Sequence, residues 1–112
     1  MIGMHLIVDG VLSHRIGKEE VARILSDLPS EIGMEILAGP LVVEGGPENP
    51  GLTGFVIVDK SHISIHTFDE GDKAAIDVFS CRPFEEENVL RYLEQNIPFK
   101  KFHTQTLIRT EE

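Results

Sequence analysis

Residues 53–81 read TGFVIVDKSHISIHTFDEGDKAAIDVFSC, and three short runs within them decide the fold. Thr53–Val58, His62–Phe68 and Ala74–Cys81 are rich in Val, Ile, Phe and Thr, the residues that fit a pleated, half-buried surface. Asp59-Lys60 lies near the first junction, and Asp69-Glu70-Gly71-Asp72 separates the last two runs. Connections this short cannot return the chain to the start of a parallel neighbour, so the runs predict antiparallel strands. Strand alternation puts His62, Ser64 and His66 on one face and Ser61, Ile63 and Ile65 on the other. Ser61 follows the charged pair Asp59-Lys60, which marks a strand boundary or a bend.

Working upstream, Gly45-Gly46-Pro47-Glu48-Asn49-Pro50-Gly51 is the strongest turn signal in the chain. It reads as a surface loop rather than a domain linker, because neither side is long enough to fold alone. Met34–Glu44 before it is β-rich and interrupted by Gly39-Pro40. Lys18–Leu28 predicts a helix, since Val21, Ile24, Leu25 and Leu28 fall on one face, with Pro29 and Ser30 closing it. Met1–Asp9 alternates, with Ile2, Met4, Leu6 and Val8 on one side. Downstream, Pro83 opens a second helix running to Asn96. Glu85, Glu86 and Glu87 stand in its first turn, where the helix dipole favours negative charge. Pro98 ends it, and Phe99–Ile108 reads as a closing strand. The order β-α-β-β-β-β-α-β predicts an α+β fold, an antiparallel β-sheet covered by two helices, as one domain over residues 1–112.

The formal net charge of −9 disfavours nucleic acid or an anionic membrane as partner, because both repel an acidic surface. It suits a small cationic substrate, although a solvated acidic surface is the plainer account. No apolar run approaches the ~18–20 residues that span a bilayer, and MIGMHLIVDG lacks the basic start of a signal peptide. The single cysteine, Cys81, cannot form an intrachain disulfide, which suits a reducing cytoplasm. His62 and His66 stand at strand spacing with no cluster of other ligand types nearby, so no metal site is expected.

The same 29 residues concentrate reactive side chains: Thr53, Ser61, His62, Ser64, His66 and Cys81 interrupt otherwise apolar strands. Buried hydroxyls and imidazoles need partners, so gathering them here has a cost that function would explain. Taken singly, Ser61 is an ordinary turn residue, Thr53 a good strand former and Cys81 a small buried hydrophobe. Their order and spacing carry more. Lys60-Ser61-His62-Ile63-Ser64-Ile65-His66-Thr67, followed by Ala74-Ala75-Ile76-Asp77-Val78-Phe79-Ser80-Cys81, resembles the bacterial and archaeal S-adenosylmethionine decarboxylases. That family shows a Ser-His-aliphatic-(Ser/Thr)-Ile-His-Thr block and then an Ala-(Ala)-aliphatic-Asp-aliphatic-Phe-(Ser/Thr)-Cys block at this separation. Gly54 matches the segment just upstream, and Gly3 and His5 echo an N-terminal Gly-Arg-His. The likeness is dense over residues 53–81 and thin elsewhere.

The resemblance implies a decarboxylase-type sandwich and a chain that cuts itself between Lys60 and Ser61. The Ser61 hydroxyl attacks the carbonyl before it, giving an ester; loss of the α-proton then splits the chain and leaves a pyruvoyl group. That group forms a Schiff base with the substrate amine and accepts electrons as carbon dioxide leaves. By resemblance Ser61 is the pyruvoyl precursor, His66 takes a proton during processing, and Cys81 protonates the decarboxylated carbon. Thr53 stands where the family usually has a processing serine. The implied substrate is S-adenosylmethionine, in polyamine (spermidine) synthesis, and the implied assembly is a homodimer, which also covers a small domain's sheet face or edge.

Several positions differ from the family pattern. Lys60 replaces a usual Glu, Phe68-Asp69 replaces Trp-Pro, and Val42–Glu48 offers none of the family's upstream His and aromatics. Adenine loses stacking partners by these changes. Arginine or ornithine, decarboxylated by the same chemistry in other family members, is therefore an alternative substrate, with Asp9 and Glu44 as partners for its basic side chain. An uncleaved, non-catalytic relative is the other alternative.

Overall fold

The computed structural model describes residues 1–112. The elements are β1 (Gly3–Leu12), α1 (Lys18–Glu31), β2 (Ile36–Glu44), β3 (Leu52–Val58), β4 (Ser61–Phe68), β5 (Lys73–Ser80), α2 (Glu86–Asn96) and β6 (Phe99–Arg109). Their order and the antiparallel sheet are those read from the sequence. The six strands form one sheet in the order β2-β3-β4-β5-β1-β6, with every neighbouring pair antiparallel.

Alternation sorts the strands into two faces. Leu6 and Val8 of β1, Val56 and Val58 of β3, Ile63 and Ile65 of β4, and Ile76 and Val78 of β5 are fully buried. They meet Val21, Ile24, Leu25 and Leu28 of α1 and Val89 and Leu93 of α2 in one core. Both helices thus lie on the same side of the sheet. Tyr92 donates a 2.8 Å hydrogen bond to Asp27, and Arg23 donates one of 3.0 Å to Asn96, tying the helices together. Gly54 is required where α1 crosses β3: a Cβ there would stand 2.6 Å from Leu25 Cδ1 and 2.8 Å from Val21 Cγ1.

The other face carries no helix. Leu41 and Val43 of β2 and Phe55 and Ile57 of β3 are exposed there. Beside them lie His62, Ser64 and His66 of β4, Asp77 and Phe79 of β5, and His5 and Asp9 of β1. Gly3 belongs to this face too. A Cβ on it would stand 2.7 Å from the Phe79 ring and would meet the Ser80 carbonyl, so β1 pairs this closely with β5 only because residue 3 has no side chain.

Several boundaries depart from the sequence reading. Helix α1 continues through Pro29 to Glu31. Pro29 falls in the last turn, where it is buried, and Ile32 just beyond joins the core; this burial outweighs one missing N–H. Helix α2 begins at Glu86 rather than Pro83. Strand β1 runs to Leu12 and β6 to Arg109, because each pairs the other along its length. The interruption expected at Gly39-Pro40 is a pair of register shifts between β2 and β3.

Candidate active site

Strands β3 and β4 are joined by Asp59 and Lys60 alone, with Val58 opposite Ser61. Lys60 turns the chain with φ of 51°, a left-handed conformation uncommon for a side-chain-bearing residue. Ser61 is therefore the first residue of β4, at the boundary its sequence context marks. Its side chain faces the helices and is 5% exposed. Ser61 Oγ donates to the Asp59 carbonyl at 2.9 Å and accepts from the Cys81 backbone N–H at 2.8 Å. The Cys81 thiol donates to the same Asp59 carbonyl at 3.5 Å. Ser61 and Cys81 are thus brought together by residues 20 apart in sequence, because β4 and β5 are paired and Cys81 follows the end of β5.

The segment after β5 is strapped down. Ser80 is fully buried and accepts a 3.2 Å bond from the Arg82 N–H, while the Arg82 guanidinium donates to the Gly33 carbonyl at 2.9 Å. A hydroxyl with a donor N–H on one side and a carbonyl on the other, next to a turn, has the surroundings an internal acyl shift needs. An N–H so placed would steady the oxygen of a hydroxyl that became acylated.

Thr53 and His66 form a second pair, opposite each other on β3 and β4, with Thr53 Oγ1 and His66 Nδ1 3.0 Å apart. They stand on the face without helices. His66 is five residues along β4 from Ser61, so at a rise of ~3.3 Å per residue the two are roughly 16 Å apart. Within one chain the pair cannot touch Ser61. Asp9 lies at the same end as His66, facing His103 Nε2 at 3.8 Å. Glu44 ends β2 at that end as well, but three strands separate β2 from β1, so Asp9 and Glu44 do not meet. Glu44 lines a hollow of about 230 Å³ with Asp69 and the Gly45, Gly46 and Pro47 loop.

Between the two ends lies a polar group that sequence reasoning had not assembled. His5 Nε2 is 3.1 Å from Asp77 Oδ1, and Ser64 Oγ donates to Asp77 Oδ2 at 3.4 Å. His62 stacks on Phe55 with ring centroids 5.2 Å apart and tilts against Phe79 at 5.7 Å. Burial holds His62 below the usual imidazole range; His5 and Arg109 push the same way, against the pull of Asp77. An acid in the middle of the apolar Ala74–Cys81 run was the available signal for this cluster. No group of three His, Cys, Asp or Glu side chains gathers to hold a metal ion.

Known proteins resemble this chain in sequence and in fold. The family model described as S-adenosylmethionine decarboxylase matches residues 4–110. A protein of Clostridium botulinum named "S-adenosylmethionine decarboxylase proenzyme" is 37% identical over 60 residues, covering 53% of this chain and 52% of that one. The chain thus spans about half the length of that relative. An Archaeoglobus fulgidus protein of the same name is 32% identical over 83 residues, 72% of each chain. The crystal structure of the adenosylmethionine decarboxylase from Aquifex aeolicus superposes with a TM-score of 0.76 at 26% identity, over 99% of this chain and 95% of that one. With nearly the whole chain matched in sequence and in fold, the chain belongs to the S-adenosylmethionine decarboxylase family.

Proposed function

We propose that this protein is a self-processing, pyruvoyl-dependent decarboxylase of S-adenosylmethionine that works as a homodimer in polyamine synthesis. The observation that carries this reading is Ser61 Oγ at a two-residue turn, held between the Cys81 N–H and the Asp59 carbonyl. In processing, Ser61 Oγ adds to the Lys60 carbonyl carbon and the C–N bond breaks, giving an ester and a free amine on Ser61. Loss of the Ser61 α-proton then expels the Lys60 carboxylate and leaves dehydroalanine, and water converts this to the pyruvoyl group with release of ammonia. When formed, that group supplies an electron sink for loss of carbon dioxide. The Cys81 backbone N–H fits the new ester oxygen, and the Cys81 thiol, which shares the Asp59 carbonyl with Ser61 Oγ, is a side-chain proton donor beside that position.

The separation of the two residue sets supports the dimer. Ser61 and Cys81 sit at one end of the strands; Thr53 and His66 sit at the other, on the bare face. A second copy laid antiparallel over that face brings His66 of one copy toward Ser61 of the other, making two composite sites. Leu41, Val43, Phe55 and Ile57, exposed in one chain, favour such covering. No helix is long and apolar enough to cross a membrane, and the free Cys81 is compatible with the cytoplasm, where we place the protein.

Arginine or ornithine is the second reading of the substrate, favoured by the two carboxylates, Glu44 and Asp69, that line the loop hollow. Mass spectrometry of freshly purified protein tests the whole reading. Cleavage predicts a fragment ending at Lys60 and a pyruvoyl-blocked fragment comprising residues 61–112, with S-adenosylmethionine then losing carbon dioxide faster than arginine or ornithine. A chain that stays intact on prolonged incubation refutes the enzyme and leaves a non-catalytic family relative.

A further inference from the structure

We infer that Arg82 is a positioning residue for chain cutting: its tie to the Gly33 carbonyl holds the Cys81 N–H against Ser61 Oγ and so sets how fast that oxygen is acylated. The inference rests on the proposed self-processing and adds to it a residue just outside the two blocks that resemble the family.

Cys81 needs a tie because no strand ladder holds it. The last paired residues of β5 are Phe79, opposite His62 and His5, and Ser80, opposite Met4. Cys81 comes after them and opens the irregular connection, residues 81–85, that leads to α2. Its N–H donates to Ser61 Oγ at 2.8 Å and its thiol to the Asp59 carbonyl at 3.5 Å, so both bonds depend on where this connection lies. Segments outside ladders open readily, and an N–H on one is a poor partner unless something fixes it. Two contacts do so. The buried Ser80 hydroxyl accepts from the Arg82 N–H at 3.2 Å, and the Arg82 guanidinium reaches the Gly33 carbonyl at 2.9 Å, across 49 residues of sequence. The next hold on the chain is Phe84, packed against the core.

Gly33 makes a firm anchor. It turns the chain just past α1 with φ of 70°, between the buried Ile32 and Met34. The C-terminal end of a helix attracts a cation, yet α1 has no basic residue in its last turn. Glu31 and Glu35 stand on either side of Gly33 in the chain, adding negative charge. Arg82 supplies the missing cation from a distant part of the sequence, so charge as well as hydrogen bonding seats its guanidinium. That group is exposed, and its weight is that of one ordinary hydrogen bond.

Two measurements test the inference. The first is the rate at which folded precursor cuts itself, followed by intact mass. Arg82→Ala should slow it about fivefold, Arg82→Lys should restore it to within about twofold, and Arg91→Ala on the exposed side of α2 should cut as wild type. The second is amide exchange by NMR in the His66→Ala chain, which keeps Ser61 Oγ and stays uncut on the proposed mechanism. Adding Arg82→Ala should speed exchange of the Cys81 N–H at least about fivefold while the Val78 N–H, inside the β5 ladders, is unchanged. A residue that merely stabilised the fold would move both amides together. Wild-type cutting by a folded Arg82→Ala chain overturns the inference, as does Arg82→Lys cutting as slowly as Arg82→Ala, or Cys81 exchange that stays put or changes only in step with Val78. A wild-type chain that never cuts defeats the proposed function and the rate effect with it, whereas the exchange measurement still judges the tie itself.

Discussion

A mixed-dimer experiment separates a composite site from a site within one chain. On the proposed mechanism Ser61→Ala removes the nucleophile and His66→Ala the imidazole, so neither variant alone should cut itself. Five residues of extended strand place His66 roughly 16 Å from its own Ser61, against the ~3 Å over which a proton is exchanged. The gap exceeds any side-chain rotation, and Ser61 faces the helices while His66 lies on the bare side. If the two variants are co-expressed and assort freely, about half of the dimers are mixed. Each mixed dimer holds one intact pair, Ser61 of the His66→Ala chain and His66 of its partner. About half of the His66→Ala chains, or roughly a quarter of all chains, should therefore be cut. Two distinguishable affinity tags and intact-mass analysis read this directly. Mixed dimers recovered through both tags yet wholly uncut would refute action across the interface, as would wild-type cleavage by His66→Ala alone.

Cys81→Ala keeps the backbone N–H on Ser61 and should still yield two fragments, while carbon dioxide release from S-adenosylmethionine falls at least about tenfold; full activity in a folded, processed variant would remove the proton-donor role. Gly54→Ala forces a methyl against Leu25 and Val21 and should cost about 1–3 kcal/mol, read from the urea midpoint; an unchanged midpoint would mean that α1 moves away freely. His62 has its pKa lowered from 6.5 in the fold, so the unfolded chain binds more protons there as pH falls. Stability from this residue is thus complete above about 6.5 and declines as pH drops toward the lowered folded value. His62→Gln should flatten that acid-side decline in melting temperature, and an identical pH profile in the variant would contradict it.

Most of the fold was legible because Val, Ile and Phe alternate cleanly through residues 53–81, and the turns between the runs are short. Ser61 and Cys81 were singled out in the sequence by the resemblance of their two blocks to the family's, and the pairing of β4 with β5 carries them to one end. The distance from Ser61 to His66 was not. Five positions in a motif look local on paper, yet a strand spends them as length, whereas a helix would have folded them into little more than one turn. The cluster of His5, Asp77 and Ser64 was hidden for another reason: its members are 72 and 13 residues apart, and only strand order makes them neighbours. Pro29 was misread because its breaking tendency is a local rule, and the burial that overrides it is set by the rest of the fold.

The turn between β3 and β4 also governs what a cut chain can do afterwards. A break between Lys60 and Ser61 leaves β1, α1, β2 and β3 on one piece and β4, β5, α2 and β6 on the other. The pieces are interleaved rather than side by side, since β1 of the first lies between β5 and β6 of the second. Three of the five ladders, β1 with β5, β1 with β6 and β3 with β4, join one piece to the other. Neither piece can leave without dismantling the sheet, so the break is silent while the protein stays folded. Once unfolded, the two pieces must find each other by diffusion, and recovery becomes dependent on concentration in a way that the uncut chain escapes. Cleavage would therefore act as a ratchet: the precursor can refold repeatedly, whereas a dilute mature protein that unfolds is lost.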